Sequence, residues 1–250
     1  MKVVEFYNDF YTKAELSKAH GIFCEKVYGK NLCQHGMADM FQIKELLKFL
    51  NLNEESRLLD LGCGSGFLTE YIQEQTNCYV TGIDLSPTAI ERAKERTSGK
   101  SDKLKFQVGD MGNLQLRPQS FDAIISIDTH YFVDDFEALL DKLLDSLTPS
   151  GQIGLFSDEG RGIAGCDDSN LQAEDSLIGE LLKRKGIYFN ALNLNKENRT
   201  HWKYKESVLT ELKSEFEKED NMFLYENRIK ECTSSNRELD CRFLFHILKR

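Results

Sequence analysis

Apolar residues recur along this chain in two rhythms, and the change from one to the other marks its organisation. Between residues 12 and 50 the spacing is helical: Phe41, Ile43, Leu46, Leu47, Phe49 and Leu50 alternate with Lys44, Glu45 and Lys48. The stretch Tyr28–Gly36 interrupts that region and reads as a loop. From residue 57 strands and helices alternate. Arg57–Leu61 is the first strand, and Phe67, Leu68, Tyr71 and Ile72 form the inner face of the helix after it. Cys78–Leu85 is the second strand. Ser86-Pro87 then supplies an N-cap and a proline at the first helical position, opening a helix over Thr88–Thr97. Leu104–Val108 is the third strand. Phe121–Ile127 is a nearly unbroken apolar run, as expected of a strand covered on both faces. Phe136, Leu139, Leu140, Leu143, Leu144 and Leu147 make one amphipathic helix, and Pro149-Ser150-Gly151 turns the chain into a fifth strand, Gln152–Ser157.

Strands separated by helices imply a parallel sheet with right-handed crossovers. The pattern changes after residue 157. Asp158–Asn170 is rich in Gly, Asp and Ser and reads as a mobile loop. A helix (Leu177–Lys185), a strand (Ile187–Leu194), a charged helix (Lys203–Glu219), a shorter helix (Phe223–Glu231) and a last strand (Arg242–Leu248) follow. In the charged helix Val208, Leu209, Leu212 and Phe216 trace one stripe, so its Lys and Glu residues form a solvated outer face. The expected organisation is a single domain over 1–250: a helical cap (1–50), a ligand-binding core (51–157), a lid-like elaboration that closes over substrate (158–235) and a final strand (236–250).

Composition narrows the partners. A net charge of −9, with acids spread along the chain, disfavours binding to phosphate backbones, so no nucleic-acid partner is expected. Seven scattered cysteines without a Cys-x-x-Cys pair suit reduced thiols in a cytoplasmic protein, and no metal site is expected. Early acids argue against a signal peptide, and no apolar run approaches the length of a membrane span.

The chemistry concentrates at the first strand-to-helix turn. Leu58-Leu59-Asp60-Leu61 runs into Gly62-Cys63-Gly64-Ser65-Gly66, and the next strand ends in Asp84. Glycines at such a turn let backbone approach a ligand, and an acid at the tip of the second strand can hold ribose hydroxyls. A dinucleotide fingerprint would space its third glycine differently and place it where Phe67 stands. The acid Asp60 just before the glycines suits a ligand with a cationic amino-acid portion better than a pyrophosphate, which favours S-adenosylmethionine.

Four ordered segments carry a resemblance: Asp60–Gly66, Gly82-Ile83-Asp84-Leu85-Ser86, Gly109-Asp110-Met111 and Leu147-Thr148-Pro149-Ser150-Gly151. Together they resemble the motifs of class I S-adenosylmethionine-dependent methyltransferases of the small-molecule type, over roughly residues 40–157. The fold this implies is α/β, a doubly wound, mostly parallel seven-stranded Rossmann-like sheet with the helical cap and the helical elaboration after strand five. The resemblance implies that Gly62, Cys63, Gly64 and Gly66 admit the methionine portion beside Asp60, and that Asp84 holds the ribose. Leu85 would line the adenine, Asp110 would accept from its amino group, Met111 would offer a backbone amide, and Asp128 would also border the cofactor. S-adenosylhomocysteine would be the product.

The acceptor side is less marked. Methyl transfer needs alignment, exclusion of water and a free lone pair on the nucleophile. Here the segment after the fourth strand reads Ser126-Ile127-Asp128-Thr129-His130-Tyr131-Phe132, without the Asn- or Asp-Pro-Pro-Tyr common in enzymes that methylate nucleobase or glutamine amino groups. The loop from Tyr28-Gly29 to His35-Gly36 is similar to the cap of small-molecule methyltransferases such as the phosphoethanolamine, glycine/sarcosine and tocopherol-type enzymes. In the phosphobase enzymes the Asp matched by Asp128 is followed four residues later by a His that pairs with an N-terminal Tyr; here that position is Phe132. The catalytic candidates are His130, Asp128, Tyr28 and His35. Tyr7, Tyr11, Tyr28 and Trp202 could wall a cationic substrate. The expectation is methyl transfer to a small N or O nucleophile by a monomer or homodimer. A tRNA or protein side-chain methyltransferase and a non-catalytic cofactor-binding protein are the alternatives.

Overall fold

A computed structural model describes residues 3–100, 102–159, 171–233 and 241–249. Its sheet has seven strands: β1 (Arg57–Leu61), β2 (Tyr79–Asp84), β3 (Leu104–Val108), β4 (Phe121–Ile127), β5 (Leu147–Glu159), β6 (Tyr188–Asn193) and β7 (Cys241–Leu248). They lie in the order β3-β2-β1-β4-β5-β7-β6. All pairings are parallel except those of β7, which runs antiparallel to both β5 and β6. This is the expected doubly wound, mostly parallel α/β sheet. The order reverses between β1 and β4, where Leu61 pairs with Ile83 on one side and Ser126 on the other. Ligands bind at the carboxyl ends of the strands at such a reversal.

Helices cover both faces. One apolar cluster joins Leu59, Leu61 and Ile124 to Leu139, Leu140 and Leu143 of α6 (Phe136–Ser146) and to α7 (Leu177–Arg184). The other joins Leu58, Val80 and Ile125 to α3 (Met40–Leu50), α4 (Phe67–Thr76) and α5 (Pro87–Arg96). Adjacent residues Leu58 and Leu59 therefore serve opposite faces, which is why β1 reads as a continuous apolar run. The capping signals act as read: Ser86 Oγ accepts from the Ala89 amide, with Pro87 opening α5.

A third cluster is purely helical. α1 (Val3–Leu16) and α2 (Lys18–Tyr28) pack Phe10, Ala14, Phe23 and Val27 against Val208, Leu209, Leu212, Phe216 and Leu224 of α8 (Asn195–Lys218) and α9 (Met222–Thr233). The cap and the late helices thus form one layer.

Three boundaries differ from the sequence expectation. α1 starts at Val3, because Phe6, Phe10 and Ala14 continue a helical stripe toward the N-terminus. α8 begins eight residues before the expected Lys203; its first turns bury polar side chains, Asn195, Asn198 and His201, where an apolar stripe was the signal sought. Leu147 already pairs with Phe121, so Pro149–Gly151 is an irregularity inside β5 before Gln152 pairs with Ala123. The expected Gly160–Gly165 start of the lid and Cys166 lie outside the described residues.

Candidate functional site

The glycine turn is fixed from two strands at once. The amides of Gly62 and Cys63 both donate to the Ile83 carbonyl, at 2.7 and 3.1 Å, and the Gly64 amide donates to Asp84 Oδ2 at 2.8 Å. Gly62 and Gly64 have φ of 75° and 55°, in the left-handed region. A Cβ at Gly62 would overlap the Thr129 side chain, and one at Gly64 the Tyr11 phenol, so both space and conformation demand glycine. Gly66 then opens α4, whose first amides face the turn.

Two acids stand beside this turn. Asp60 is buried and accepts from Thr69 Oγ1 at 2.6 Å, and burial pushes its carboxyl up to about 7. Asp84 also accepts from the Ser86 amide through Oδ1 at 2.8 Å. Burial raises its carboxyl above the ordinary range, against the lowering effect of those amides. With the Leu85 amide also directed at it, this carboxylate keeps lone-pair capacity for a hydroxyl donor. Farther along the strand ends, Asp110 Oδ1 accepts from the Gly112 amide at 2.9 Å and caps a short turn of helix at Met111–Asn113.

These residues line one cavity of about 1180 Å³, open to solvent at its mouth. Asp60, Gly62, Cys63, Gly64, Gly66, Asp84, Leu85, Asp110, Met111 and Asp128 all border it. α1 and the loop before α3 close its other side. Tyr7 and Tyr11 stack one turn apart at 6.0 Å, while His35 and Phe132 each meet the Tyr7 ring edge-on, at 5.2 and 5.8 Å. The cradle of glycine backbone, the ribose-competent Asp84 and the buried acid Asp60 fit S-adenosylmethionine in chemistry.

The acceptor-side candidates separate. His35 borders the cavity; Tyr28 and His130 do not. Tyr28 is buried in the helical layer, its ring against Phe23 and His201. His130 is buried beside Phe136, with Nε2 3.5 Å from Ser157 Oγ, and burial lowers its imidazole to about 4. The expectation was that His130 faces substrate; the turn after β4 packs its ring against Phe136 and Ser157, while Phe132 two residues later borders the cavity. Trp202 is likewise buried away from the cavity.

Asp128 borders the cavity, but its carboxylate is committed elsewhere. Arg242 Nη1 and Nη2 donate to Oδ1 and Oδ2 at 2.6 and 3.0 Å, and the Met37 amide donates to Oδ2 at 2.7 Å. Both partners are buried, and Arg242 holds the Asp128 carboxyl below its ordinary range against the opposing effect of burial. Arg242 Nε also donates to Gln42 Oε1 at 2.7 Å. This side chain therefore ties β4, β7 and the start of α3 together and is not presented as a proton acceptor.

Behind His35 lies a charged cluster that sequence reasoning missed. Arg228 Nη2 and Nη1 donate to the carbonyls of Gln34 and His35 at 2.6 and 2.8 Å. Glu231 Oε2 accepts from Lys205 Nζ at 2.7 Å, and its Oε1 lies 3.3 Å from His35 Nε2. Burial lowers the His35 imidazole to about 4, with Arg228 and Lys205 acting in the same direction and Glu231 against them. The spacing Lys205, Val208, Leu212 on α8 places Lys205 on the buried stripe, and that was the available signal.

The fold and the site define a doubly wound α/β protein with a positive-φ glycine turn facing an acid at the tip of its second strand. Residues 58–151 match the family model of a methyltransferase domain. Phosphoethanolamine N-methyltransferase 1 of Arabidopsis thaliana is 35% identical over 142 residues, 56% of this chain and 28% of that protein. The chain thus spans under a third of the length of that relative. Among solved structures, phosphoethanolamine N-methyltransferase 2 of Haemonchus contortus, in complex with phosphomonomethylethanolamine and S-adenosylhomocysteine, is similar with a TM-score of 0.67. It is 19% identical, over 97% of this chain and 60% of that one. The cyclopropane synthase MmaA2 of Mycobacterium tuberculosis aligns over 100% of both chains at 16% identity and a TM-score of 0.69. These two likenesses are likenesses of fold. Among the described residues no helix is long and apolar enough to cross a membrane.

Proposed function

We propose that this chain transfers a methyl group from S-adenosylmethionine to a small-molecule acceptor with an N or O nucleophile. The observation that carries the reading is Asp84 beside the positive-φ glycine turn, both bordering one solvent-open cavity. The cofactor supplies a methyl carbon already activated by a sulfonium. Gly62 and Gly64 admit the methionine portion, and amides at the start of α4 suit its carboxylate. Asp60 faces the cationic end, Asp84 takes the ribose hydroxyls, and Leu85, Asp110 and Met111 border the adenine. Tyr7, Phe132 and His35 form the acceptor side, with His35 the nearest imidazole for an acceptor proton. Phe132 in place of the phosphobase enzymes' histidine argues for an acceptor other than phosphoethanolamine. The same reading assigns the enzyme to the cytoplasm.

Thermal melting tests the cofactor. S-adenosylhomocysteine at hundredfold excess over its dissociation constant stabilises by about 2.7 kcal/mol. For a chain of this size that raises the melting temperature by roughly 5–11 °C, at about 2–4 °C per kcal/mol. Asp84→Ala should erase most of the shift. Stabilisation by NAD with none by S-adenosylhomocysteine would overturn the assignment. Transfer of labelled methyl to a panel of amines, phenols, carboxylic acids and phosphoethanolamine identifies the acceptor class. A panel in which only tRNA or protein is labelled would replace the small-molecule reading.

A further inference from the structure

α1 is apolar on two faces, and the helical layer uses only one of them. Phe6, Phe10 and Ala14 turn into that layer, whereas Val3, Val4, Tyr7 and Tyr11, spaced by whole turns, border the cavity. Tyr11 stands over Gly64 at the donor end, so the turns carrying Tyr7, Val4 and Val3 lead away from it along the helix. Phe132 meets the Tyr7 ring from the segment after β4, and Tyr131 continues the surface outward with its ring 5.0 Å from that of Phe132. Val3, Tyr131 and Phe132 are 52, 53 and 48% exposed. Apolar side chains gathered at the mouth of a pocket mark a surface that a ligand covers.

The charges point the same way. Among the described residues no Lys or Arg borders the cavity, whereas Asp60, Asp84, Asp110 and Asp128 do. The cations behind the acceptor wall are turned to other partners. Arg228 donates to the Gln34 and His35 carbonyls, Lys205 to Glu231 and Arg242 to Asp128. His35, lowered to about 4 by burial, is neutral at pH 7. A phosphate or carboxylate on the acceptor would enter this space without a counter-charge, and taking such a group out of water unpaired is costly.

We propose that the acceptor is an amine or hydroxyl compound with an apolar body free of anionic groups, seated between the Val3–Val4–Tyr7 stripe and Phe132 and reaching out toward Tyr131. The proposal rests on the methyl-transfer reading of the cavity. It makes Val3 and Phe132 the residues that select the acceptor's body, at the end of the cavity away from the glycine turn. A protonated amine is admitted by the same aspartates and aromatic rings that turn an anion away.

Two matched pairs of probes test this on the full chain saturated with S-adenosylhomocysteine at pH 7. 2-Phenylethylamine and phosphoethanolamine share the aminoethyl group, and 4-ethylphenol and 4-hydroxyphenylacetate share the phenol. Saturation-transfer NMR titrations should show the apolar member of each pair bound at least about tenfold more tightly, the penalty for an unpaired charge exceeding that ratio. An anionic member bound equally or better, or no binding by any of the four, would overturn the proposal. Phe132→Ser should weaken both apolar probes about tenfold through lost apolar contact. Val3→Ser, at an exposed position near the start of α1, should weaken them in the same direction. Unchanged affinity in both variants would refute the placement of the acceptor. S-adenosylhomocysteine melting shifts are measured on the same samples. A normal shift with preference for the anionic probes refutes the apolar acceptor alone, whereas no shift in the unaltered chain refutes the methyl-transfer reading.

Discussion

Replacing Arg242 with methionine removes the guanidinium that faces Asp128 and leaves a buried carboxylate without its partner. The pair is bidentate at 2.6 and 3.0 Å, and its side chains are 0% and 1% exposed. Breaking a buried pair from one side costs about 3–5 kcal/mol, because the remaining charge is stranded. At about 2–4 °C per kcal/mol, melting should fall by roughly 6–20 °C. The loss depends on pH. With Arg242 present, the Asp128 carboxyl lies below its ordinary range, so its stabilisation is present above the unfolded value and lost as pH falls through the folded one. Without Arg242, burial raises the carboxyl, so the deficit should be small near pH 3 and grow toward pH 7. Adding Asp128→Asn neutralises the stranded group. Asparagine tolerates the φ of 58° at this position, so the double variant should recover most of the loss. Calorimetric or circular-dichroism melts of both variants across that pH range make the measurement. A double variant no more stable than Arg242→Met, or a single loss below about 1 kcal/mol against the 3–5 expected of a buried pair, would refute the assignment of Asp128 to structure.

Two further outcomes follow from the cavity. Gly64→Ala combines a left-handed φ, worth about 1–2 kcal/mol for a residue with a Cβ, with overlap on the Tyr11 phenol. It should weaken S-adenosylhomocysteine binding in calorimetry, and Tyr11→Phe should restore part of it; unchanged affinity in Gly64→Ala would refute the close approach. Asp60, with its carboxyl near 7, is largely protonated at pH 6, and the stability it contributes is lost as pH rises from the unfolded value through the folded one. A sulfonium ligand favours the carboxylate, so binding S-adenosylmethionine at pH 6 should release a proton, seen as a buffer-dependent enthalpy. Asp60→Asn should abolish that dependence, and its persistence would refute the assignment.

The cofactor side of the site was readable because it is written locally. Gly62, Gly64 and Asp84 are placed by strand ends whose apolar runs announce themselves, and turn, strand tip and cap all sit within a few residues of their cause. The acceptor side is built from pairs distant in sequence. Asp128 meets Arg242, and His35 meets Glu231 and Arg228, across separations that no local pattern encodes. His130 was favoured because it follows β4, but a one-turn helix there rotates successive side chains by about a third of a circle. Phe132 therefore reaches the cavity and His130 does not. The early turns of α8 escaped notice for another reason: the buried face carries Asn195, Asn198, His201 and Lys205 at helical spacing, so periodicity was present without hydrophobicity.

The glycine turn and most of the acceptor wall, Phe132 excepted, come from different stretches of chain. Residues 58–151 hold the nucleoside side, while Tyr7, His35 and the α9 side chains behind them come from outside that segment. On the proposed reading, substitutions at Tyr7 and in α9 can change the acceptor, whereas Tyr11 of α1 packs on Gly64 and belongs to the donor side. Divergence among relatives should therefore concentrate at the two ends of the sequence, and exchanging Tyr7 and α9 together is the economical route to a new acceptor.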